Sequence, residues 1–337
     1  YYKANRMKGL LTPELYDAIE NKLALGQQIL LFQNRRGYAP IIECETCGYI
    51  PKCRNCDVSL TFHQYSNSLK CHYCGFSEKN QKKCLKCNSI KIDMKGYGTQ
   101  QIEEQIKSFF PNAKVDRMDW DTTRGKYSVD KIFEKFENHQ IDILIGTQMV
   151  TKGLDFKNIG LVGVINADNI LFFPNFRANE KAFQILTQVS GRAGRSSIKG
   201  SVIIQTFSSD NKIFEFIKKQ NHDGFYEQEI TERKEFNYPP YYRLIKLIMK
   251  SRDLETLKGA SNWLFQSISN GLIYPIYGPL DPHVSRIKNE FIKEVLIKYP
   301  NTNVRNKIKR HLMKSIESFE SISKFRVVKL NVDIDPN

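Results

Sequence analysis

Short apolar runs alternate with amphipathic segments along the first 208 residues. QQILLF at 27–32 is apolar enough for a strand buried on both faces, whereas GTQQIEEQIKSFF at 98–110 has the composition of a helix. Strands are predicted at 27–32, 114–119, 142–146, 160–165 and 201–207, and helices at 13–25, 98–110, 128–138 and around 182–186. This alternation predicts an α/β domain with a parallel sheet and right-handed crossovers.

The pattern changes after about residue 208. The predicted elements there are a strand at 244–249, a helix near 254–270, a loop at 277–282, a strand at 291–299, a basic helix at 303–318 and a final strand at 325–335. Such an order predicts a separate α+β domain over 209–337.

All eight cysteines lie in an insert, residues 42–91, that divides the α/β domain into 1–41 and 92–208. They form four CxxC pairs: Cys44/Cys47, Cys53/Cys56, Cys71/Cys74 and Cys84/Cys87. Two CxxC turns, or knuckles, make a tetrahedral four-sulfur site, so the insert is predicted to hold two structural zinc ions. Redox pairs, a disulfide framework and an iron–sulfur cluster are weaker alternatives, since no cysteine lies elsewhere and the spacing is wide for a cluster.

The sequence between the knuckles indicates which of them share a site. Residues 57–70 alternate apolar and polar positions, as a short hairpin strand would, which favours nested pairing. The inner site is then Cys53, Cys56, Cys71 and Cys74, and the outer site is Cys44, Cys47, Cys84 and Cys87. Sequential pairing remains an alternative, and His63 and His72 are additional candidate ligands.

The formal net charge of +15 suggests a polyanionic partner, nucleic acid before membrane. A lysine-rich overall composition explains part of this excess equally well. The longest apolar runs, such as IDILIG at 141–146, are too short to cross a bilayer, and the opening residues lack the apolar core of a secretory signal. Because the chain does not begin with Met, its natural start is expected to lie upstream.

Two motifs follow predicted elements of the α/β domain. GTQMVTKGLDF (146–156) comes directly after a strand, and QVSGRAGR (188–195) ends a helix. Ligands of parallel sheets bind outside the carboxyl ends of the strands. Arg192 and Arg195 stand beside glycines that let a phosphate approach the backbone, and their guanidinium groups are suited to bind it.

These two stretches resemble motifs V and VI of superfamily 2 helicases. Together with LLFQNRRGY (30–38), DTTRGK (121–126) and the eight-cysteine insert, they resemble the PriA (primosomal protein N′) family of replication-restart helicases over nearly the whole chain. The resemblance implies a RecA-like second helicase lobe, an inserted double zinc module and a C-terminal domain.

The resemblance also implies roles at a nucleotide site shared with a partner lobe. Arg192 and Arg195 would reach the γ-phosphate of ATP, with Arg195 as the arginine finger. Gln188 would help to position the nucleotide. Gly153 and Asp155 would lie at the cleft that faces it.

DNA and protein partners follow from the same resemblance. Thr147 and Lys152 would contact the DNA backbone. Arg305, Lys309 and Arg310 are candidates for phosphate or for the acidic tail of single-stranded-DNA-binding protein, although a solvated helix face explains them equally well. The family implies branched or single-stranded DNA, primosome proteins and a replicative helicase loader as partners. It also implies a monomer in the bacterial cytoplasm, associated with the nucleoid and without membrane contact.

The sequence contains neither GxxxxGK[ST] nor a DExH-type acidic box. The chain is therefore expected to be the C-terminal part of a helicase that binds ATP and Mg²⁺ only in its full-length form, and to lack ATPase activity alone. A non-motor adaptor that retains a helicase-like scaffold is an alternative, and a related motor acting on RNA is another.

Overall fold

Helices and strands alternate through the first part of the chain, and antiparallel strands dominate the rest. The computed structural model describes residues 6–34, 41–63, 66–95, 98–119, 122–123, 128–151, 159–193 and 200–336. The strands are β1 (Gln28–Phe32), β2 (Ile41–Cys44), β3 (Thr61–His63), β4 (Ser68–Lys70), β5 (Ser77–Lys79), β6 (Ile92–Lys95), β7 (Val115–Met118), β8 (Ile143–Gly146), β9 (Ile159–Val164), β10 (Ser201–Ile204), β11 (Tyr242–Ser251), β12 (Ile276–Leu280), β13 (Arg286–Ile287), β14 (Glu290–Pro300) and β15 (Lys329–Ile334). The helices are α1 (Pro13–Ala24), α2 (Thr99–Phe109), α3 (Ser128–Glu137), α4 (Asp168–Leu171), α5 (Ala178–Ser190), α6 (Ile213–Lys218), α7 (His222–Glu235), α8 (Leu254–Ser269) and α9 (Arg305–Ser321).

A parallel sheet forms the centre of the first compact unit, which comprises the described residues of Tyr1–Ala39 and Gly96–Phe225. Its strand order is β10-β9-β1-β8-β7, and each neighbouring pair is parallel. β1, β8 and β9 are buried along their whole length, which explains their continuous apolar sequence. The predicted parallel α/β sheet is confirmed.

Successive residues of β1 face two different apolar layers, as the pleat of a strand requires. Leu30 and Phe32 belong to the layer that contains residues of α3, α5 and α6. Ile29 and Leu31 belong to the layer that contains residues of α1 and α2. The sheet is thus covered by helices on both faces.

The first unit extends beyond the domain boundary that the sequence suggests at 208/209. Ile213, Ile217 and Phe225, from α6 and α7, are buried in its core. Phe225 stacks on Phe183 of α5, with ring centroids 4.1 Å apart. α6 and the start of α7, as far as Phe225, group with the first unit because their apolar residues pack in the same cluster as α5.

The second compact unit, the described residues of Pro40–Lys95 and Tyr226–Asn337, contains an antiparallel sheet in the order β12-β14-β11-β15. Residues of α8 and α9 pack on this sheet in one apolar cluster, so the predicted α+β tail domain is confirmed.

The loop predicted at 277–282 is wrong, since β12 pairs with β14. Pro279 is tolerated there because β12 is an edge strand whose register shifts between Tyr277 and Leu280. The final strand is shorter than predicted because a 3₁₀ turn occupies Ser323–Phe325.

The cysteine-rich insert belongs by its contacts to this second unit. β2 and β6 pair antiparallel at its base, with Ile41 opposite Lys95 and Cys44 opposite Ile92, so the chain enters and leaves the insert at one place. β3, β4 and β5 form a small antiparallel sheet inside it. Within the described part of the chain, no helix combines the length and apolar character needed to cross a bilayer.

Candidate zinc sites and motif residues

Backbone hydrogen bonds close three of the four knuckles in the same way. The residue after the second cysteine donates its N–H to the carbonyl of the first: Gly48 to Cys44 (2.8 Å), Gly75 to Cys71 (2.9 Å) and Asn88 to Cys84 (2.9 Å). These three residues have φ of 67°, 80° and 59°, a region open to glycine and tolerated by asparagine. A Gly or Asn after CxxC is therefore a local sequence signal for this turn.

The knuckles assemble into two four-sulfur groups, Cys44/Cys47/Cys84/Cys87 and Cys53/Cys56/Cys71/Cys74, each with its sulfurs within 4.8 Å of one another. The Sγ–Sγ distance is 3.5 Å for Cys44–Cys87, 3.7 Å for Cys47–Cys84 and 3.5 Å for Cys53–Cys74. A tetrahedron with Zn–S bonds of about 2.3 Å has edges of about 3.8 Å. The two groups have the nested arrangement, and their donor chemistry and spacing are consistent with two zinc ions.

Both groups provide a thiol that ionises more easily than an ordinary cysteine. Burial raises the pKa of the Cys44 thiol, but backbone N–H groups of Cys47 and Thr46 and the neighbouring thiols outweigh burial and bring it to about 6. In the same way, burial is outweighed at Cys74 by the N–H of Phe76 and the surrounding thiols, which bring its pKa to about 7. A thiolate is the form of cysteine that binds a metal. Burial raises the pKa of Cys53 to about 12, and at Cys87 the N–H of Ser89 is outweighed by the neighbouring Cys47 thiol, which raises the pKa to about 12, so each group combines an easily ionised thiol with one that resists ionisation.

Neither candidate histidine belongs to these groups. His63 and His72 lie with their Nε2 atoms 3.3 Å apart in an exposed position. The four-sulfur groups among the described residues are each complete with cysteine alone.

Polar side chains lie at the carboxyl ends of the neighbouring strands β1, β8 and β7 of the first unit. Thr147, the predicted DNA contact, is 7% exposed directly after β8. Its neighbour Gln148 donates from Nε2 to Oδ1 of Asn34, which follows β1, over 3.1 Å. Asp119, fully buried after β7, pairs with Arg117 at 3.3 Å and accepts a hydrogen bond from Thr99. Sequence reasoning missed Asn34, Gln148 and Asp119, although their position after apolar strands was a usable signal.

The two helicase-like motifs pack side by side. Met149 and Val150, from the 3₁₀ turn after β8, share an apolar cluster with Leu186 and Val189 of α5. Gln188 is exposed near the end of α5, and Arg192, in the following turn, is buried with 8% of its surface exposed.

Several predicted motif residues cannot be placed. Lys152, Gly153, Asp155 and Arg195 lie outside the described residues. Gln188, Arg192 and Thr147 are placed, and their roles toward nucleotide and DNA stay predictions.

Family models match three parts of the chain. The PriA DNA helicase Cys-rich region (CRR) domain matches residues 53–79, the helicase conserved C-terminal domain matches 71–197, and the primosomal protein N C-terminal domain matches 234–337. These parts correspond to the inner zinc group, the helicase-like motifs and the tail domain.

Curated relatives align with nearly the whole chain. Replication restart protein PriA of Bacillus subtilis is 38% identical over 334 residues, which are 98% of this chain and 41% of the relative. The protein of that name from Synechocystis is 37% identical over 98% of this chain and 39% of its own length. The one from Haemophilus influenzae is 33% identical over 98% of this chain and 45% of its own length. The chain thus spans about two fifths of the length of these relatives.

One solved structure is similar at a low TM-score. The Pyrococcus furiosus Hef helicase domain gives a TM-score of 0.30 at 15% identity, covering 61% of this chain and 28% of that structure. From the three family models and the alignments over 98% of its length, the chain belongs to the PriA family of replication restart proteins.

Proposed function

We propose that the chain is the second-lobe, zinc-binding and C-terminal portion of an ATP-dependent 3′–5′ DNA helicase that restarts replication at stalled or branched forks. The observation that carries this proposal is the alignment of 98% of the chain with replication restart proteins, in which the zinc groups, the helicase-like motifs and the tail domain occur together. Neither a zinc module nor a helicase lobe alone would indicate this activity.

ATP would be held between this lobe and a P-loop lobe that supplies the phosphate cradle and the Mg²⁺ ligands. Arg192 and Arg195 would face the γ-phosphate, and Arg195 would stabilise the charge that develops during its transfer. Gln188, Gly153 and Asp155 would orient the nucleotide at the same cleft. Closing of the two lobes would then move the DNA strand that Thr147 and Lys152 contact.

The four-sulfur groups would hold two structural zinc ions. A site closed by four thiolates leaves no position for water, so its role is to stabilise the fold of the insert. The apolar cluster of the insert is small, with Ile42, Leu60 and Leu69 as its buried aliphatic members, which is consistent with a fold that depends on metal.

The partners proposed for the whole protein are branched or single-stranded DNA, single-stranded-DNA-binding protein, primosome proteins and the loader of the replicative helicase. The basic composition supports binding to phosphate, and α9 contributes Arg305, Lys309 and Arg310. Contacts of this kind weaken steeply as salt increases. We infer a monomer in the bacterial cytoplasm, associated with the nucleoid.

The test compares ATP hydrolysis by the 337-residue chain with hydrolysis by the full-length gene product. We expect none from the chain and DNA-stimulated turnover from the full-length protein. Arg195→Ala in the full-length protein should lower turnover by about 10³–10⁵-fold, the range for loss of an arginine finger. Lys181→Ala, which removes one exposed charge from α5, is the matched control and should leave turnover unchanged.

Three results would count against the proposal. Turnover by the chain alone would refute the need for a second lobe. A full-length protein without DNA-stimulated turnover would favour the non-motor adaptor. Stimulation by RNA in place of DNA would indicate the RNA motor.

A further inference from the structure

The second knuckle, Cys53–Cys56, is built differently from the other three. The residue after its second cysteine is Asp57, where the others have Gly48, Gly75 and Asn88. The N–H of Asp57 donates to the carbonyl oxygen of Arg286 over 2.9 Å. The second knuckle keeps one local closure, from Cys53 N–H to the carbonyl of Val58 over 2.9 Å, but the N–H of Asp57 pairs with a residue of the tail domain 229 positions away.

A sulfur of this knuckle also receives a long-range hydrogen bond. Three other sulfurs accept from the backbone N–H two residues downstream: Asn55 to Cys53, Phe76 to Cys74 and Lys86 to Cys84, each 3.4 Å from nitrogen to Sγ. Cys74 also accepts from the side-chain Nδ2 of Asn55 at 3.9 Å. Cys56 Sγ accepts from the N–H of Lys288 over 3.3 Å. Lys288 thus supplies to Cys56, from the tail domain, the kind of backbone donor that Cys53, Cys74 and Cys84 find two residues downstream.

The donor belongs to a tight hairpin between β13 and β14. Its two turn residues, Lys288 and Asn289, have φ of 53° and 61°, as a two-residue hairpin turn requires. Asn289 N–H donates to the carbonyl of Asn55 over 2.8 Å, beside the Lys288 contact. The side chain of Asn289, although exposed, also donates from Nδ2 to Asn55 Oδ1 over 3.3 Å, so the turn contacts the insert through backbone and side chain.

Side chains support the same contact. Asp57 accepts from Ser285 Oγ at 2.9 Å and from Arg286 Nε at 3.0 Å. Ile287 packs against the apolar cluster that contains Cys53, Cys56 and Cys71. The segment 285–289, here called the docking hairpin, therefore contacts the inner sulfur group through main chain, charge and apolar surface.

We propose that the docking hairpin is an integral part of the inner zinc site and that its attachment depends on the metal in that site. The inference rests on the proposal that the inner group binds zinc. Four thiolates and one Zn²⁺ carry a net charge of −2, and N–H donors such as that of Lys288 offset it. A metal-bound thiolate is a stronger acceptor than a neutral thiol, and the metal fixes the position of Cys56 for the hairpin.

The coupling would join the insert to the sheet of the tail domain. The hairpin is the end of β14, which pairs with both β11 and β12. Zinc in the inner site would thus hold one end of this strand, whereas the outer site would hold only the base of the insert near β2 and β6.

Amide hydrogen exchange on the 337-residue chain tests this difference. The variants are Cys71→Ser in the inner site and Cys84→Ser in the outer site, which alter equally buried cysteines. Metal analysis should first show two zinc per wild-type chain. We expect the amides of Lys288 and Asn289 to lose at least tenfold protection in Cys71→Ser and to keep it in Cys84→Ser, with the centre of β11 protected in both.

The possible results separate the two proposals. Wild-type chain without zinc would refute the zinc sites themselves. With zinc present, protection of the hairpin that survives in both variants, or is lost equally in both, would overturn the metal-dependent attachment.

A second experiment tests the coupling in the opposite direction, from the hairpin to the metal, and keeps all eight cysteines. Asp57→Ala should speed release of one of the two zinc ions to a colorimetric chelator by about tenfold, the low end of the range for removing support of a metal ligand. The matched control is Asp281→Ala, which removes an ion pair to Lys293 of 2.9 Å in the same domain, away from the insert. Equal release rates in wild type and both variants would contradict the proposal.

Discussion

Replacing Phe225 by alanine tests whether the helicase lobe includes α6 and the start of α7. Phe225 is 7% exposed, stacks on Phe183 at 4.1 Å and meets the edge of Phe216 at 5.9 Å. Truncation of such a phenylalanine costs about 3–5 kcal/mol. Because Phe183 lies on α5, the helix that precedes Arg192, the loss should destabilise the lobe that carries the nucleotide motif.

The assay is amide exchange in the first unit, measured at the centres of β9 and α5. If these amides exchange by unfolding of the lobe, 3–5 kcal/mol accelerates them by about a hundred- to several-thousand-fold, since every 1.4 kcal/mol is a factor of ten. The neighbouring Tyr226 is 64% exposed, so Tyr226→Ala is the matched control and should change the rate less than about threefold.

Two results would refute the reasoning. If Phe225→Ala accelerated exchange in β11 and β14 but not in β9, Phe225 would belong energetically to the tail domain, as the predicted boundary at 208/209 implies. If Tyr226→Ala had the same effect as Phe225→Ala, the loss would come from the helix itself and not from the buried ring contacts.

Three further predictions concern stability, each checked by urea unfolding. Gly259→Ala should stabilise the chain by about 0.5–1 kcal/mol, since Gly259 lies exposed inside α8 with open space around an added Cβ. Gly163→Ala should cost about 1–3 kcal/mol, because its Cβ would lie 2.7 Å from Leu31 Cδ2 in the sheet core. Asp253→Ala should lower the urea midpoint at pH 6 by removing the N-cap of α8, whereas Asp253→Asn, which keeps a side-chain acceptor, should lower it much less. Hydrogen bonds from Thr256 lower the pKa of Asp253 in the folded protein. The stabilisation by its carboxylate is therefore complete above the ordinary aspartate pKa of about 4 and is lost as the pH falls through the lowered pKa of the folded state. The difference in stability between wild type and Asp253→Ala should shrink over that acidic range.

The predictions that the structure confirms rest on patterns of neighbouring residues in the sequence. The CxxC spacing with Gly48, Gly75 and Asn88 encodes the knuckles within a few residues, and the apolar runs at β1, β8 and β9 reflect strands buried on both faces. The strand at β12 was missed because Gly278-Pro279 has the composition of a turn, and only the neighbouring strand shows that it is an edge.

The sequence by itself determined that this chain has a cysteine-rich insert with two metal-binding groups, a parallel α/β lobe and a separate α+β domain, because each follows from residue spacing over short distances. The tertiary structure decided the grouping of the knuckles, the extension of the lobe to Phe225 and the contact of Gln148 with Asn34. It also decided that Asp57 and Cys56 meet Arg286 and Lys288, about 230 residues away. Residue spacing along the chain does not predict such contacts, because they form only when separately folded elements pack together.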